Sequence, residues 1–301
     1  MEQTRASVTL ANGVSMPLLG LGTYRVRDEP DLERCIRAAL DAGYRMFDTA
    51  AVYRNEEAIG RVLARLLAEP AFSHLTRKDL FITTKLAPRD QGYEACLAAC
   101  EASLRRLGLD YVDLYLIHWP GTQRLKAEDP RNAENRAGSW RALEDLWHRG
   151  GARAIGVSNY TVQHLQALLD HCTVRPAVLQ TEMHPLWPEP ELRAFCQREH
   201  IHLEAYSSLG EGALVSGALS LPTLHQLAAA CQRTPAQLLL RWAIQHGATV
   251  IPKSTQPERI RENAQSLCFS LTAEQMAALD KLAEASQLPL RRFCWDPSRI
   301  V

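Results

Sequence analysis

Three side chains able to move a proton or hold a charge stand at the ends of apolar runs, and a fourth follows one of them across a turn. Asp48 closes Met46-Phe47, and Tyr53 follows it across the turn Thr49-Ala50-Ala51-Val52. Lys85 closes Leu80-Phe81-Ile82-Thr83-Thr84, and His118 closes Val112-Asp113-Leu114-Tyr115-Leu116-Ile117. Taken singly, an Asp and a nearby Tyr are an ordinary cap and a packed aromatic. Brought to one face, a carboxylate, a phenol, an ammonium and an imidazole make an acid–base centre. An adjacent cation favours the phenolate and so makes the phenol a better proton donor.

Positioning them requires the apolar runs to be strands and the segments between them helices. Ser7-Val8-Thr9-Leu10, Asn12-Gly13 and Val14-Ser15-Met16 read as a hairpin on an Asn-Gly turn, able to plug one end of a barrel. Leu18 to Gly22 reads as a first short strand whose Gly20 and Gly22 let the backbone approach a ligand. Asp31 to Ala42 is amphipathic, with Leu32, Ile36, Ala39 and Leu40 on one face and a stop at Gly43. The alternation continues with a strand to Asp48, a helix over 56–67, a strand to Lys85, a helix over 93–107 and a strand to His118.

A polar loop from Gly121 to Gly138 without periodicity is a candidate pocket wall. Beyond it the pattern predicts helix 139–149, strand 152–157, helix 162–170, strand 177–180, helix 190–199 and strand 201–206. The small-residue segment 207–220 carries Gly210, Gly212 and Gly217. Helices 221–232 and 235–245, a last strand 249–252, helices 258–265 and 272–285, and a tail to Val301 complete the chain.

Eight strand–helix units in right-handed succession close into a (β/α)8 barrel. The expected fold is therefore an α/β TIM barrel with an N-terminal β-hairpin and a C-terminal extra helix and tail, one domain over residues 1–301. An open doubly wound sheet would need a phosphate-binding glycine loop. Gly20-Leu21-Gly22 lacks the third glycine and the immediate helix of such a loop. On the barrel reading, Asp48, Lys85, His118, Ser158-Asn159, Gln180, Tyr206-Ser207 and Lys253-Ser254 all fall at C-terminal strand ends. That is the face where such barrels build their sites.

Composition narrows the function. The chain is 46% hydrophobic and 23% charged, with 34 basic and 34 acidic residues, so no bulk field favours nucleic acid or an anionic membrane. Met1-Glu2-Gln3-Thr4-Arg5 does not read as a signal peptide, and no apolar run reaches the length of a membrane span. The 8 cysteines include no C-x-x-C; Cys96 and Cys100, one turn apart, lack a second pair of ligands. Reduced thiols in a cytoplasmic protein without a metal are the expectation.

The motifs resemble those of the aldo-keto reductase family along almost the whole chain. Asp48-Thr49-Ala50-Ala51-Val52-Tyr53-Arg54-Asn55-Glu56 looks like the family's first signature, and Leu116-Ile117-His118-Trp119-Pro120 like its histidine segment. Gly156-Val157-Ser158-Asn159 and Ile251-Pro252-Lys253-Ser254, followed by Arg259 and Glu262-Asn263, look like its cofactor segments. The resemblance implies NADPH-dependent reduction of a small-molecule carbonyl to an alcohol, by a monomer. It implies Tyr53 as proton donor, with Lys85, Asp48 and His118 around it. An ammonium about 4 Å from a phenol, at an effective dielectric near 20, stabilises the phenolate by roughly 4 kcal/mol, so the Tyr53 pKa is expected to fall.

The resemblance also implies a cofactor set. Tyr206 would stack on the nicotinamide, and Ser158, Asn159 and Gln180 would hold its carboxamide. Gly22, Thr23 and Ser207 to Leu209 would contact the pyrophosphate and nearby ribose. Lys253, Ser254 and Arg259 would take the 2′-phosphate, with Glu262 and Asn263 at the adenine. Tyr24, Trp119 and Trp295 remain as substrate lining beside Tyr53 and His118. Ala87 stands where many members carry a tryptophan, and the loop after Tyr206 is too short for the long cofactor clamp of the mammalian branch. Asp90-Gln91-Gly92-Tyr93 is closer to the compact, bacterial-type, prostaglandin F synthase-like branch. Two alternatives stand beside a general aldehyde and ketone reductase. One is a dedicated reductase of a steroid, prostaglandin or sugar-derived ketone, and the other a non-catalytic NADPH-binding protein.

Overall fold

The alternation of short apolar runs with amphipathic segments resolves, in a computed structural model that describes residues 6–301, into a ring of parallel strands wrapped by helices. The polar N-terminus read above, Met1–Arg5, lies outside the described residues. A hairpin of β1 (Ser7–Thr9) and β2 (Ser15–Pro17) comes first. Eight parallel strands follow in strict chain order: β3 (Leu21–Gly22), β4 (Met46–Asp48), β5 (Phe81–Leu86), β6 (Val112–Ile117), β7 (Ala152–Ser158), β8 (Val178–Glu182), β9 (His202–Tyr206) and β10 (Ala248–Val250).

The sheet closes on itself. Leu19 bridges Val250 in parallel register, Gly20 N donates to Val250 O at 2.9 Å and Val250 N to Leu18 O at 3.0 Å. Glycine matters at this seam for a reason other than ligand approach. A Cβ on Gly22 would lie 2.6 Å from Ile251 O, so the seam needs a residue without one.

Helices α1 (Glu29–Asp41), α2 (Glu56–Leu67), α3 (Tyr93–Leu107), α4 (Arg131–His148), α5 (Val162–Leu169) and α6 (Pro190–Arg198) each follow one strand. Both α7 (Pro222–Ala230) and α8 (Pro235–Gln245) follow β9, and α9 (Pro257–Ala264) follows β10. Local chemistry starts and stops these helices. In α1 the Asp28 carboxylate caps Asp31 N, Pro30 occupies the first turn, and Gly43 leaves the helix at φ +89°. Its inner face buries Leu32, Ile36, Ala39 and Leu40, the two leucines and the isoleucine each stabilising by about 1.5–3 kcal/mol. The hairpin plugs the barrel as expected. Its Leu10, Val14 and Met16 share one buried cluster with Met46, Phe81, Leu114 and Val178 from the strands.

The strand expected over Leu18 to Gly22 is regular only at Leu21–Gly22, the one expected over 249–252 runs Ala248–Val250, and two helices differ more. Helix α4 starts at Arg131, not Ser139, so the polar loop is half as long as expected. Its first two turns are polar and largely solvated, which leaves no apolar stripe to read, and Asp129 Oδ1 receives Arg131 N at 3.0 Å to start it. The final helix divides at Lys281 into α10 (Ala273–Asp280) and α11 (Leu282–Ala285). Among the described residues, no helix is long and apolar enough to cross a membrane.

Candidate active site

Parallel pairing brings the four chemical side chains together. Asp48 pairs with Thr83 across β4 and β5, and Lys85 with Leu116 across β5 and β6, so three adjacent strands end side by side. Lys85 is completely buried, and its Nζ donates to Asp48 Oδ1 at 2.6 Å, Asp48 Oδ2 at 2.8 Å and the Thr49 carbonyl at 2.9 Å. Its remaining neighbour is the Tyr53 hydroxyl at 3.4 Å. Tyr53 is carried there by the single turn Ala51–Tyr53, which Arg54 ends in the left-handed region at φ 59°. Asn55 holds that turn down: its amide donates to Val26 O at 2.8 Å and Thr23 O at 3.0 Å, and its oxygen accepts from Thr49 Oγ1 at 2.6 Å. His118 faces Tyr53 edge-on, with ring centroids 5.6 Å apart.

Burial sets the electrostatics. It would lower the Lys85 pKa, but Asp48 and Tyr53 reverse the effect and the ammonium ends above its usual value. Burial and the Lys85 charge together hold His118 well below the usual histidine range, so its imidazole is neutral. Its Nδ1 has no partner among the described residues. Tyr53 corrects the sequence expectation. Its hydroxyl is pushed up to about 12, because burial outweighs the lowering by Lys85 and Asp48 opposes that lowering. The Asp48 carboxylate offsets part of the charge that Lys85 presents to the phenol.

Above this group opens a cavity of about 940 Å³. Gly22, Tyr24, Asp48, Tyr53, His118, Trp119, Ser158, Asn159, Gln180, Tyr206, Ser207, Leu209, Lys253, Ser254, Arg259, Glu262 and Asn263 all line it. Of the expected residues, Lys85, Thr23 and Ser208 do not. Lys85 lies beneath the floor, and Thr23 turns its hydroxyl into the fold, donating to Asp48 O at 2.8 Å. Trp295 lines the cavity as expected, packed against Trp119 with centroids 5.1 Å apart.

The lining fits an elongated, polar, anionic cofactor. Gln180 Nε2 donates to Asp48 Oδ2 at 2.9 Å and Glu204 Oε2 at 2.8 Å, which leaves its Oε1 as the free acceptor for an amide. Asn159, in the left-handed region at φ 64°, donates to His118 O at 2.9 Å and accepts from the Tyr206 hydroxyl at 2.6 Å. That bond fixes the Tyr206 ring at the wall. At the far end, the exposed Lys253 and Arg259 have no acidic partner among the described residues. Glu262 faces the same space with its carboxylate held by Thr234 Oγ1 at 2.6 Å.

Sequence reasoning missed several residues. Glu204, wholly buried under Gln180, is pushed up to about 8 by burial and by the Asp48 charge. It sits on β9, buried on both faces, where no alternation singles it out. Arg25, Glu211 and Cys294 also line the cavity. A larger concavity of about 1500 Å³ surrounds the hairpin at the opposite end of the barrel, bordered by Ala177, Ile201 and Gly247. None of the four converging groups reaches it, so convergent chemistry and not volume marks the site.

Residues 18–284 match the model of the Aldo/keto reductase family. The chain is 44% identical over 276 residues to glyoxal reductase of Bacillus subtilis, covering 92% of each chain. It is 42% identical over 281 residues to 9,11-endoperoxide prostaglandin H2 reductase of Trypanosoma cruzi, covering 93% of each. Among solved structures, a Bombyx mori aldo-keto reductase in complex with NADP superposes with a TM-score of 0.83 at 32% identity, over 95% of this chain and 98% of that one.

Proposed function

Since the chain belongs to the aldo/keto reductase family, whose members use NADP(H), we propose that it reduces aldehydes and ketones to alcohols with NADPH, Tyr53 giving the proton. The observation that carries this reading is Lys85 Nζ bonded to both Asp48 oxygens and 3.4 Å from the Tyr53 hydroxyl, at the floor of an open cavity. Small reactive aldehydes, dicarbonyls and aromatic aldehydes are the proposed substrates. The 44% identity to a glyoxal reductase supports the dicarbonyls. The whole chain would act as one barrel domain and a monomer. Its eight unpaired cysteines support a reducing compartment such as the cytoplasm.

Bound NADPH supplies the hydride. The chain's own groups do the rest. His118, neutral because burial disfavours its charged form, would donate a hydrogen bond to the carbonyl oxygen and fix its approach. Tyr53, held protonated across the neutral range, would pass its proton to the developing alkoxide, a far stronger base than a phenolate. Lys85 then lies where the phenolate left behind needs a cation, and Asp48 keeps that cation charged and aimed. Gln180 and Asn159 would orient the nicotinamide amide, the Tyr206 ring would support its face, and Lys253, Ser254 and Arg259 would meet the 2′-phosphate.

A panel of carbonyls with NADPH, headed by 4-nitrobenzaldehyde and methylglyoxal and ranked by kcat/KM, tests the reading. Saturable NADPH oxidation with at least one class is expected. NADPH binding without turnover of any carbonyl would make the protein a non-catalytic binder.

A further inference from the structure

The C-terminal tail crosses the barrel mouth and supplies Phe293, Cys294 and Trp295 to the cavity wall. One buried carboxylate holds its Phe293–Cys294 segment there. Glu182, the last residue of β8, is completely buried, yet burial's upward push on its pKa is overcome and the group stays ionised. Its Oε1 accepts from Phe293 N at 2.7 Å and its Oε2 from Cys294 N at 3.0 Å. His184 Nε2 meets Oε1 at 3.0 Å, and Arg292 Nε lies 3.7 Å from Oε2. The His184 ring also packs on Phe293, with centroids 5.3 Å apart. Glu182 itself does not line the cavity.

We propose that Glu182 is a positioning residue for substrate selection. By gripping two successive tail amides it sets Trp295 against Trp119, and so builds the wall that retains bulky planar carbonyl compounds. The inference rests on the carbonyl-reductase reading, but its mechanism is separate from the proton transfer. Two charge-assisted bonds to backbone N–H groups are geometrically specific, since they hold neighbouring residues in one rotation. The other polar contacts of this stretch are the longer ones of the Cys294 thiol, 3.5 Å from Ser207 Oγ and 3.7 Å from Glu211 Oε1. Further supports lie to either side, with Arg291 N donating to Leu186 O at 2.9 Å and Ile300 O 2.8 Å from His164 Nε2. A small dicarbonyl would sit on Tyr53 and His118 alone and would not need the wall. An aromatic aldehyde would use it.

Glu182→Ala should raise KM for 4-nitrobenzaldehyde roughly three- to tenfold, the size of a lost aromatic contact. Turnover of methylglyoxal and the Kd for NADPH should stay within about twofold of wild type, a change smaller than one aromatic contact would cause. Glu182→Gln, which keeps an acceptor oxygen and the packing, should fall between the two and guards against a misfolded Ala variant. In a Trp295→Ala background, the same Glu182 substitutions should raise that KM no further, because they act through the indole. Loss spread equally over both carbonyls and NADPH, or a Glu182 effect on KM that persists without Trp295, would overturn the proposal. Hydrogen exchange at the Phe293 and Cys294 amides decides it independently of turnover. Protection in wild type that is lost at both amides in Glu182→Ala and reduced in Glu182→Gln is expected, and protection unchanged in Glu182→Ala would overturn it. Absence of any carbonyl turnover by wild type would count against the proposed function and leave this amide result standing.

Discussion

Asp48 and Asp113 are both buried carboxylates on strands of the same barrel, both paired with cations, at its opposite ends. Asp113, near the start of β6, is completely buried and receives Arg77 at 2.7 Å, Arg153 at 2.9 Å and Ile82 N at 2.9 Å. Its arginines keep one side in solvent, with side chains 21% and 43% exposed, so they lose only part of their hydration. Asp48 meets a lysine whose side chain is 0% exposed, and that lysine has a titratable phenol as a further neighbour. Burying a charge so completely is costly and is weak evidence for a purely stabilising role. An ion pair therefore does not mark chemistry by itself. A fully desolvated pair with a proton-bearing group and a cavity beside it does.

The sharpest way to break that distinction is to remove the Lys85 charge. Lys85→Met should lower kcat for carbonyl reduction by about 10²- to 10⁴-fold, the range for a general acid that has lost its support. The Kd for NADPH, read by fluorescence titration, should stay nearly unchanged. A loss of less than about tenfold, below what general acid catalysis contributes, would place Lys85 with the structural pairs.

At the cofactor end, Arg259→Ala tests whether an unpaired cation facing the cavity is reserved for an anion. A charge-assisted bond of about 1.5–3 kcal/mol predicts NADPH binding roughly 10- to 150-fold weaker, with NADH hardly affected. Equal losses for the two cofactors would mean that Arg259 supports the fold or the adenine instead.

The other side of the comparison is Asp113→Ala. Loss of the carboxylate should cost about 1–3 kcal/mol of stability, read by urea unfolding, because its arginines can return to water. The folded fraction should retain wild-type kcat/KM. Activity falling with unchanged stability would reverse the roles assigned to the two carboxylates.

A smaller effect separates Asp48 from the carboxylate behind it. Glu204 ionises near 4.5 when unfolded and at about 8 in the fold. Between those values the unfolded state binds fewer protons, so stability falls as pH rises. Glu204→Gln removes this titration. The melting temperature of the variant should gain on wild type from about pH 4.5 to about 8 and keep a constant lead above that. A gap independent of pH would show that Glu204 is ionised throughout.

Much of this was legible in the sequence, because the relevant signals are local. Short apolar runs ending in Asp48, Lys85 and His118 announce strand ends, and a parallel barrel brings strand ends together whatever their spacing in the chain. Asn159, Gln180 and Tyr206 follow by the same logic. What escaped depends on contacts across the ring. Glu204 looks like one more residue of a short strand, and only the register of β8 with β9 puts it under Gln180. The Glu182 grip joins residues 111 and 112 positions apart, and no periodicity encodes it. Thr23 was expected at the pyrophosphate from the resemblance alone, but its hydroxyl is committed to Asp48 O. The direction of the Tyr53 shift was missed for a physical reason. A lysine weighed alone lowers a phenol, whereas here burial of the phenol, with the Asp48 charge opposing the lysine, outweighs that lowering.

The most direct test of the contrast is single-turnover hydride transfer by Tyr53→Phe at saturating NADPH. The variant retains the ring, the Lys85–Asp48 pair and the cavity, and lacks only the proton. Reduction of 4-nitrobenzaldehyde slower than wild type by about 10²-fold or more, with NADPH affinity unchanged, is the expected result. Turnover within about tenfold of wild type, less than a lost general acid costs, would contradict the assignment of Tyr53 as proton donor.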